Sequence, residues 1–113
     1  MVFDKVTFLS RLEGDELLCG EVIKIFLQEY PKLLHDVHHA AAQRNASLLE
    51  RAAHALKGSV GDLAAPQAFD AARILEQMAR EGKLEGAGAA LESLETALDH
   101  LEHELRNLEN KAA

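Results

Sequence analysis

Residues 84–108 read LEGAGAALESLETALDHLEHELRNL and place Leu84, Ala87, Leu91, Leu94, Leu98, Leu101, Leu105 and Leu108 at alternating steps of three and four. That spacing is the heptad seam of an amphipathic helix. A dimeric coiled coil could use it. With only about three and a half heptads and other amphipathic segments upstream, the expected use is antiparallel packing inside one bundle.

Working back from the seam, Gly82 stops a preceding helix that Pro66 opens as its first residue, where the missing N–H costs nothing. Asn45 caps a third helix running to about Leu63, and Ala64-Ala65-Pro66 forms the tight connection between the two. Before that, Leu18, Val22, Ile25, Phe26, Tyr30, Leu33, Leu34, Val37 and Ala41 recur at helical spacing. One long helix is therefore expected from a cap at Asp15 to about Gln43, kinked at Pro31, whose ring removes a backbone donor. At the N-terminus Asp4 reads as a cap, Phe3 and Phe8 occupy the two positions of a hydrophobic staple, and Gly14 ends a short helix. No segment alternates as a strand does. The expectation is an all-α fold: an antiparallel up-down four-helix bundle with a short additional N-terminal helix, one domain over residues 1–113. Helices of roughly 16 to 28 residues give it a length of about 25 to 40 Å.

A chain of 113 residues has room for one core and not for a catalytic domain beside a regulatory one. Twelve Lys and Arg against nineteen Asp and Glu leave a net charge of −7, which opposes binding to nucleic acid or to anionic membranes. No run approaches the roughly 18 apolar residues of a membrane span. Met1-Val2-Phe3-Asp4 lacks the basic and apolar regions of a secretory signal, so a cytoplasmic location is expected. The single Cys19, among Leu17, Leu18 and Val22, reads as a small buried hydrophobe.

The chemistry concentrates in Arg51-Ala52-Ala53-His54-Ala55-Leu56-Lys57-Gly58-Ser59-Val60-Gly61. At about 100° per residue, Leu48, Leu49, Ala52, Leu56, Val60 and Leu63 share an arc of roughly 120°. His54 points about 180° from the centre of that arc, so it is expected in solvent in the middle of a helix. Gly58 lies one turn beyond it and Gly61 two turns on, nearly eclipsed with it. Each glycine inside a helix costs about 0.8–1 kcal/mol relative to Ala, and two on one exposed face suggest a clearing into which another macromolecule fits. Lys57 and Arg51 lie one turn to either side, so cations could reach an anion on the ring. An imidazole offers an unprotonated nitrogen near neutral pH, and phosphoryl transfer asks mainly for alignment and charge stabilisation. Folding the next hairpin about residue 65 brings His54 level with Glu76 and Gln77, on a polar face that also holds Asp70, Arg73 and Arg80. Gln77 or Arg73 is expected to border the site. Phe69, at the edge of this face, either packs under the N-terminal helix near Phe3, Val6 and Phe8 or serves docking.

His54-Ala55-Leu56-Lys57-Gly58-Ser59, preceded by Phe26-Leu27-Gln28-Glu29-Tyr30-Pro31-Lys32-Leu33-Leu34 and followed by a helical hairpin, resembles the histidine-containing phosphotransfer (HPt) domain of bacterial multistep phosphorelays over nearly the whole chain. The resemblance implies that His54 accepts a phosphoryl group from a receiver-domain aspartyl phosphate and passes it to another receiver's aspartate. It implies that Lys57 stabilises the phosphoryl group and that Gly58 gives the receiver room, with Gly61, Arg51, Gln77 and Arg73 as docking candidates. Where such domains commonly show Leu-Gly-Ala after this helix, this chain has Leu63-Ala64-Ala65.

The partners so implied are response-regulator receiver domains and a hybrid histidine kinase, with the domain itself a monomer. Both a free-standing protein and the excised end of a hybrid kinase fit the sequence, and Lys111-Ala112-Ala113 reads as a frayed tail. There is no Gly-rich phosphate loop, no Walker lysine and no strand to carry one, so no ATP-dependent kinase activity is expected. No intrinsic cofactor is expected either, the Mg²⁺ for transfer coming from the receiver. His35 with His39, and His100 with His103, have spacings that can share a ligand face, but no Glu-x-x-His pair accompanies them and no metal site is expected. The alternative function is a non-catalytic helical adaptor or dimerisation module using the leucine seam.

Overall fold

Asp4, Asp15 and Asn45 each accept a backbone N–H three residues ahead, from Thr7, Leu18 and Leu48 at 3.1, 3.0 and 3.0 Å. They cap α1 (Lys5–Arg11), α2 (Glu16–Ala42) and α3 (Ala46–Asp62). α4 (Pro66–Arg80) starts on its proline with no side-chain cap, and α5 (Ala87–Ala112) follows. This computed structural model describes the backbone of residues 1–112 and the side chains of residues 1–109. The frayed tail expected at Lys111-Ala112-Ala113 lies outside the residues described in full. Among the described residues there is no strand, and no helix is long and apolar enough to cross a membrane.

The first four helices end alike. Glu13, Arg44, Ala64 and Gly82 each take a left-handed φ, of 56°, 51°, 60° and 70°. The next residue's N–H then reaches back to close the helix: Gly14 to Leu9, Asn45 to Ala40, Ala65 to Val60 and Lys83 to Met78, at 2.8 to 3.1 Å. Three of these four positions are not glycine. The end of α1 expected at Gly14 is thus made one residue earlier, by Glu13, although Gly14 is also left-handed at 75°. α2 remains one helix through Pro31.

α2 to α5 pack each against its neighbours in the chain, and α2 also meets α5, which closes an up-down four-helix bundle. α1 sits at one end, where the Asp4 N–H donates to Ala64 O and the Arg11 guanidinium to Gly61 O at 2.8 and 2.7 Å. The body measures 43 × 21 × 19 Å. Along the seam Ala87, Leu91, Leu94, Leu98, Leu101 and Leu105 are buried, facing Val37, Leu49, Leu56 and Leu75 in one core. Leu84 lies in the turn before α5 and is half-buried, because Gly82 and the turn after it delay the helix to Ala87. The seam is spent on the chain's own core, so the adaptor alternative lacks the surface it required.

The inward face of α3 is turned from the expected arc. Leu49, Ala53, Leu56, Val60 and Leu63 are buried, whereas Leu48 and Ala52 are only half-buried. α3 packs most extensively on α4, whose buried stripe of Ala68, Ala72 and Ala79 allows close approach. The shift brings the His54 side of α3 towards α4.

Candidate functional site

His54 leaves α3 at the border between this contact and solvent, with its side chain 67% exposed. Its Nδ1 lies 2.5 Å from Oε2 of Glu76 on α4, and Lys57 Nζ donates to the other carboxylate oxygen, Oε1, at 2.7 Å. Glu76 is only 3% exposed and is the buried charged residue among the described residues. Arg80, one turn along α4, brings Nη2 to 3.7 Å from Oε2 while its Nε donates to Glu50 Oε2 at 2.9 Å. A buried carboxylate is thereby surrounded by three nitrogen groups from two helices.

The electrostatics identify the donors. Burial pushes the Glu76 carboxyl up, but the hydrogen bonds from Lys57 and His54, together with the Lys57 charge, outweigh it and hold the group below its ordinary value. Glu76 is therefore ionised and can only accept, so the hydrogen on the short contact belongs to His54 Nδ1. In the neutral ring, Nε2 then carries the lone pair, on the exposed side chain.

Beside the ring, a Cβ built on Gly58 would meet nothing within 4 Å, so the backbone there is open to an approaching surface. Gly61 is different. A Cβ there would stand 3.1 and 3.3 Å from Phe69 Cδ2 and Cε2, because the phenyl ring lies on it. Gly61 is a seat for Phe69 and does not extend the clearing. Phe69 lines a groove with Asp4, Thr7 and Arg11 at the N-terminal helix, while Phe3 and Phe8 pair with each other at 5.6 Å and Val6 is 79% exposed. The Phe69 ring, 37% exposed, sits between Gly61 and the Lys57 ammonium, whose Nζ is 6.0 Å from its centroid.

Of the other expected site residues, Arg51 is exposed one turn before His54. Arg73 and Gln77 turn their hydrogen bonds elsewhere, Arg73 Nη2 to Asp70 at 2.7 Å and the Gln77 amide to Glu81 at 2.8 Å. The group that reaches the ring is Glu76, which the sequence reading placed at the right height without a role. Its signal was an acid inside the stripe Ala68, Ala72, Leu75, Ala79. Among the described residues no three His, Cys, Asp or Glu side chains cluster as metal ligands.

The chain also has recognisable likenesses. A family model described as the Hpt domain matches residues 21–110. Among solved structures, the fold is similar to that of histidine-containing phosphotransfer protein B (HptB) from Pseudomonas aeruginosa PAO1, with a TM-score of 0.90 and 23% identity over 97% of this chain and 96% of that one. No curated protein matches the chain significantly.

Proposed function

Because the chain belongs to the Hpt domain family, whose members serve as histidine phosphotransfer intermediates in phosphorelays, we propose that His54 is its phosphoryl-accepting residue and that residues 1–113 act as one phosphotransfer unit. The observation that supports this most is an imidazole anchored by one nitrogen to a buried carboxylate, with its other edge exposed beside open backbone at Gly58. An aspartyl phosphate on a receiver domain meets this edge in line, and the phosphoryl group moves to the ring. A second receiver's aspartate then takes it back by the same geometry. Lys57, held to the same carboxylate as the ring, supplies positive charge next to the transferring group, and Arg51 adds to it from the preceding turn. Gly58 admits the receiver's surface. The Mg²⁺ of the transfer belongs to the receiver, and the chain has no kinase activity of its own.

Mixing the protein with a phosphorylated receiver tests this. Acid-labile label is expected on the wild type and none on His54→Gln, whose helical circular dichroism and unfolding midpoint should stay close to wild type because the replaced side chain is largely exposed. Label on His54→Gln, or none on the wild type with every receiver from the same source, would overturn the assignment.

A further inference from the structure

Among the described residues, the large hydrophobic side chains left exposed fall within residues 1–25 and 69–74, towards the end of the bundle that carries α1. Phe69 is the one set on the same α3–α4 border as His54: its ring rests on Gly61 and lies 6.0 Å from the Lys57 ammonium, which shares Glu76 with His54. We infer that Phe69 and the groove beside it, between α4 and α1, form a docking pocket for one apolar side chain of the receiver domain that exchanges phosphoryl groups with His54. The inference rests on His54 being the acceptor and adds which part of the partner's surface is recognised.

Two features that weaken the fold are kept together here. A glycine inside a helix is less stable than alanine, and a ring left 37% exposed forgoes part of its burial. Neither is required by the core. A Cβ at position 61 would stand 3.1 Å from the ring, closer than ordinary packing, so the bare backbone serves to seat Phe69. The seated ring, with Ala64, Ala65 and Pro66, lines a groove of about 230 Å³ that Thr7 and Arg11 of α1 complete. That is room for one side chain of leucine or phenylalanine size, and less than the roughly 300–1,000 Å³ of small-molecule sites. Arg11 is fixed by donating to Gly61 O at 2.7 Å and Thr7 by its bonds to Asp4. The groove is therefore formed before any partner arrives, which lowers the ordering cost of docking.

Its place on the bundle commits the occupant. Gly61 lies seven residues beyond His54, about 10 Å along α3. A partner centred on the His54 ring with the usual footprint of about 800 Å², roughly 30 Å across, covers Phe69 as well. Towards the opposite end the same border presents Glu50, Arg51, Arg80 and Glu81, which suit a polar rim around an aromatic anchor. Phosphoryl chemistry is alike for every receiver, so discrimination between receivers comes from contacts away from the reacting atoms, and this pocket is one.

The test uses the full chain as wild type, Phe69→Ala and Ile74→Ala, with unfolding midpoints measured first. Ile74 is 42% exposed and lies about 140° round α4 from Phe69, so it controls for loss of any exposed apolar group. A purified phosphorylated receiver that labels the wild type is mixed with increasing amounts of each protein, and the initial rate of label transfer is followed. Phe69→Ala should raise the concentration for half-maximal transfer at least about tenfold. Its saturating rate should change little, because His54, Lys57 and Glu76 keep their contacts. Ile74→Ala should match wild type. A second measurement leaves the fold untouched: the wild type carrying 4-fluorophenylalanine is titrated with the receiver, with the Phe69 ¹⁹F signal assigned through Phe69→Leu. That signal should shift, while the signal of Phe26, 5% exposed, should not. An unmoved Phe69 signal, an unchanged half-maximal concentration in folded Phe69→Ala, or an equal rise in Ile74→Ala would refute the pocket alone. Absence of label on the wild type with every receiver would instead defeat the acceptor role, and this inference with it.

Discussion

Gly58 leaves room that a methyl group would occupy without touching anything, in the interior of a helix where Ala is favoured by about 0.8–1 kcal/mol. Gly58→Ala is therefore expected to raise stability by about 1 kcal/mol in chemical denaturation. The longer Gly58→Gln should keep the fold and raise the receiver concentration needed for half-maximal transfer, since its side chain projects into the space a partner would use. Glu76 predicts a pH effect. Its folded-state value is lowered, so its contribution to stability is present above the ordinary carboxyl value of 4.5 and fades as pH falls through the lower, folded one. Denaturant midpoints measured from pH 6 down to 3 should fall more steeply for the wild type than for Glu76→Gln. Parallel curves would mean that the carboxylate's hydrogen bonds to His54 and Lys57 add nothing to the folded state.

Helix ends show how far local rules reach. α3 closes on Ala64 at a φ of 60°, a conformation that costs an L-residue about 1–2 kcal/mol. The turn accepts that strain because it holds α1: Ala64 O receives the Asp4 N–H and Gly61 O the Arg11 side chain. Ala64→Gly would relieve the strain, lose a buried methyl worth about 0.8 kcal/mol and gain unfolded-state freedom worth about 0.4–1 kcal/mol. The net change should stay within about 1 kcal/mol of zero. Ala72→Gly, at a fully buried site inside α4, combines a helix penalty with a lost methyl and should cost about 2 kcal/mol. Thermal unfolding of the pair compares the two positions directly.

The bundle as a whole depends on α5, whose seam supplies one side of the core. Leu98 is 1% exposed among other fully buried leucines, and Leu98→Ala should cost about 2–5 kcal/mol. Because the seam faces the chain's own helices, that loss should appear in denaturant unfolding without dependence on protein concentration. A concentration-dependent midpoint in the wild type would point to a seam shared between chains. The same packing sets the site: α3 and α4 approach over an alanine stripe, and the one acid in that stripe is the residue that meets His54.

Capping residues, Pro66 at a helix start and the heptad spacing of α5 act within a few residues of themselves, so five helices and their order could be read from the chain alone. So could the outward bearing of His54 and the open backbone at Gly58, since both follow from the period of one helix. The hairpin length even set the height at which α4 passes His54, between Glu76 and Gln77. Neighbours in a helix point about 100° apart, however, and choosing between those two requires knowing how α4 is rotated about its axis. Packing decides that rotation, through the fit of Ala68, Ala72 and Ala79 to α3. The same holds for Phe69 on Gly61 and for Arg80 bridging Glu50 and Glu76. Periodicity reports which way a side chain leaves its own helix, and only the assembled core determines what it meets on the next.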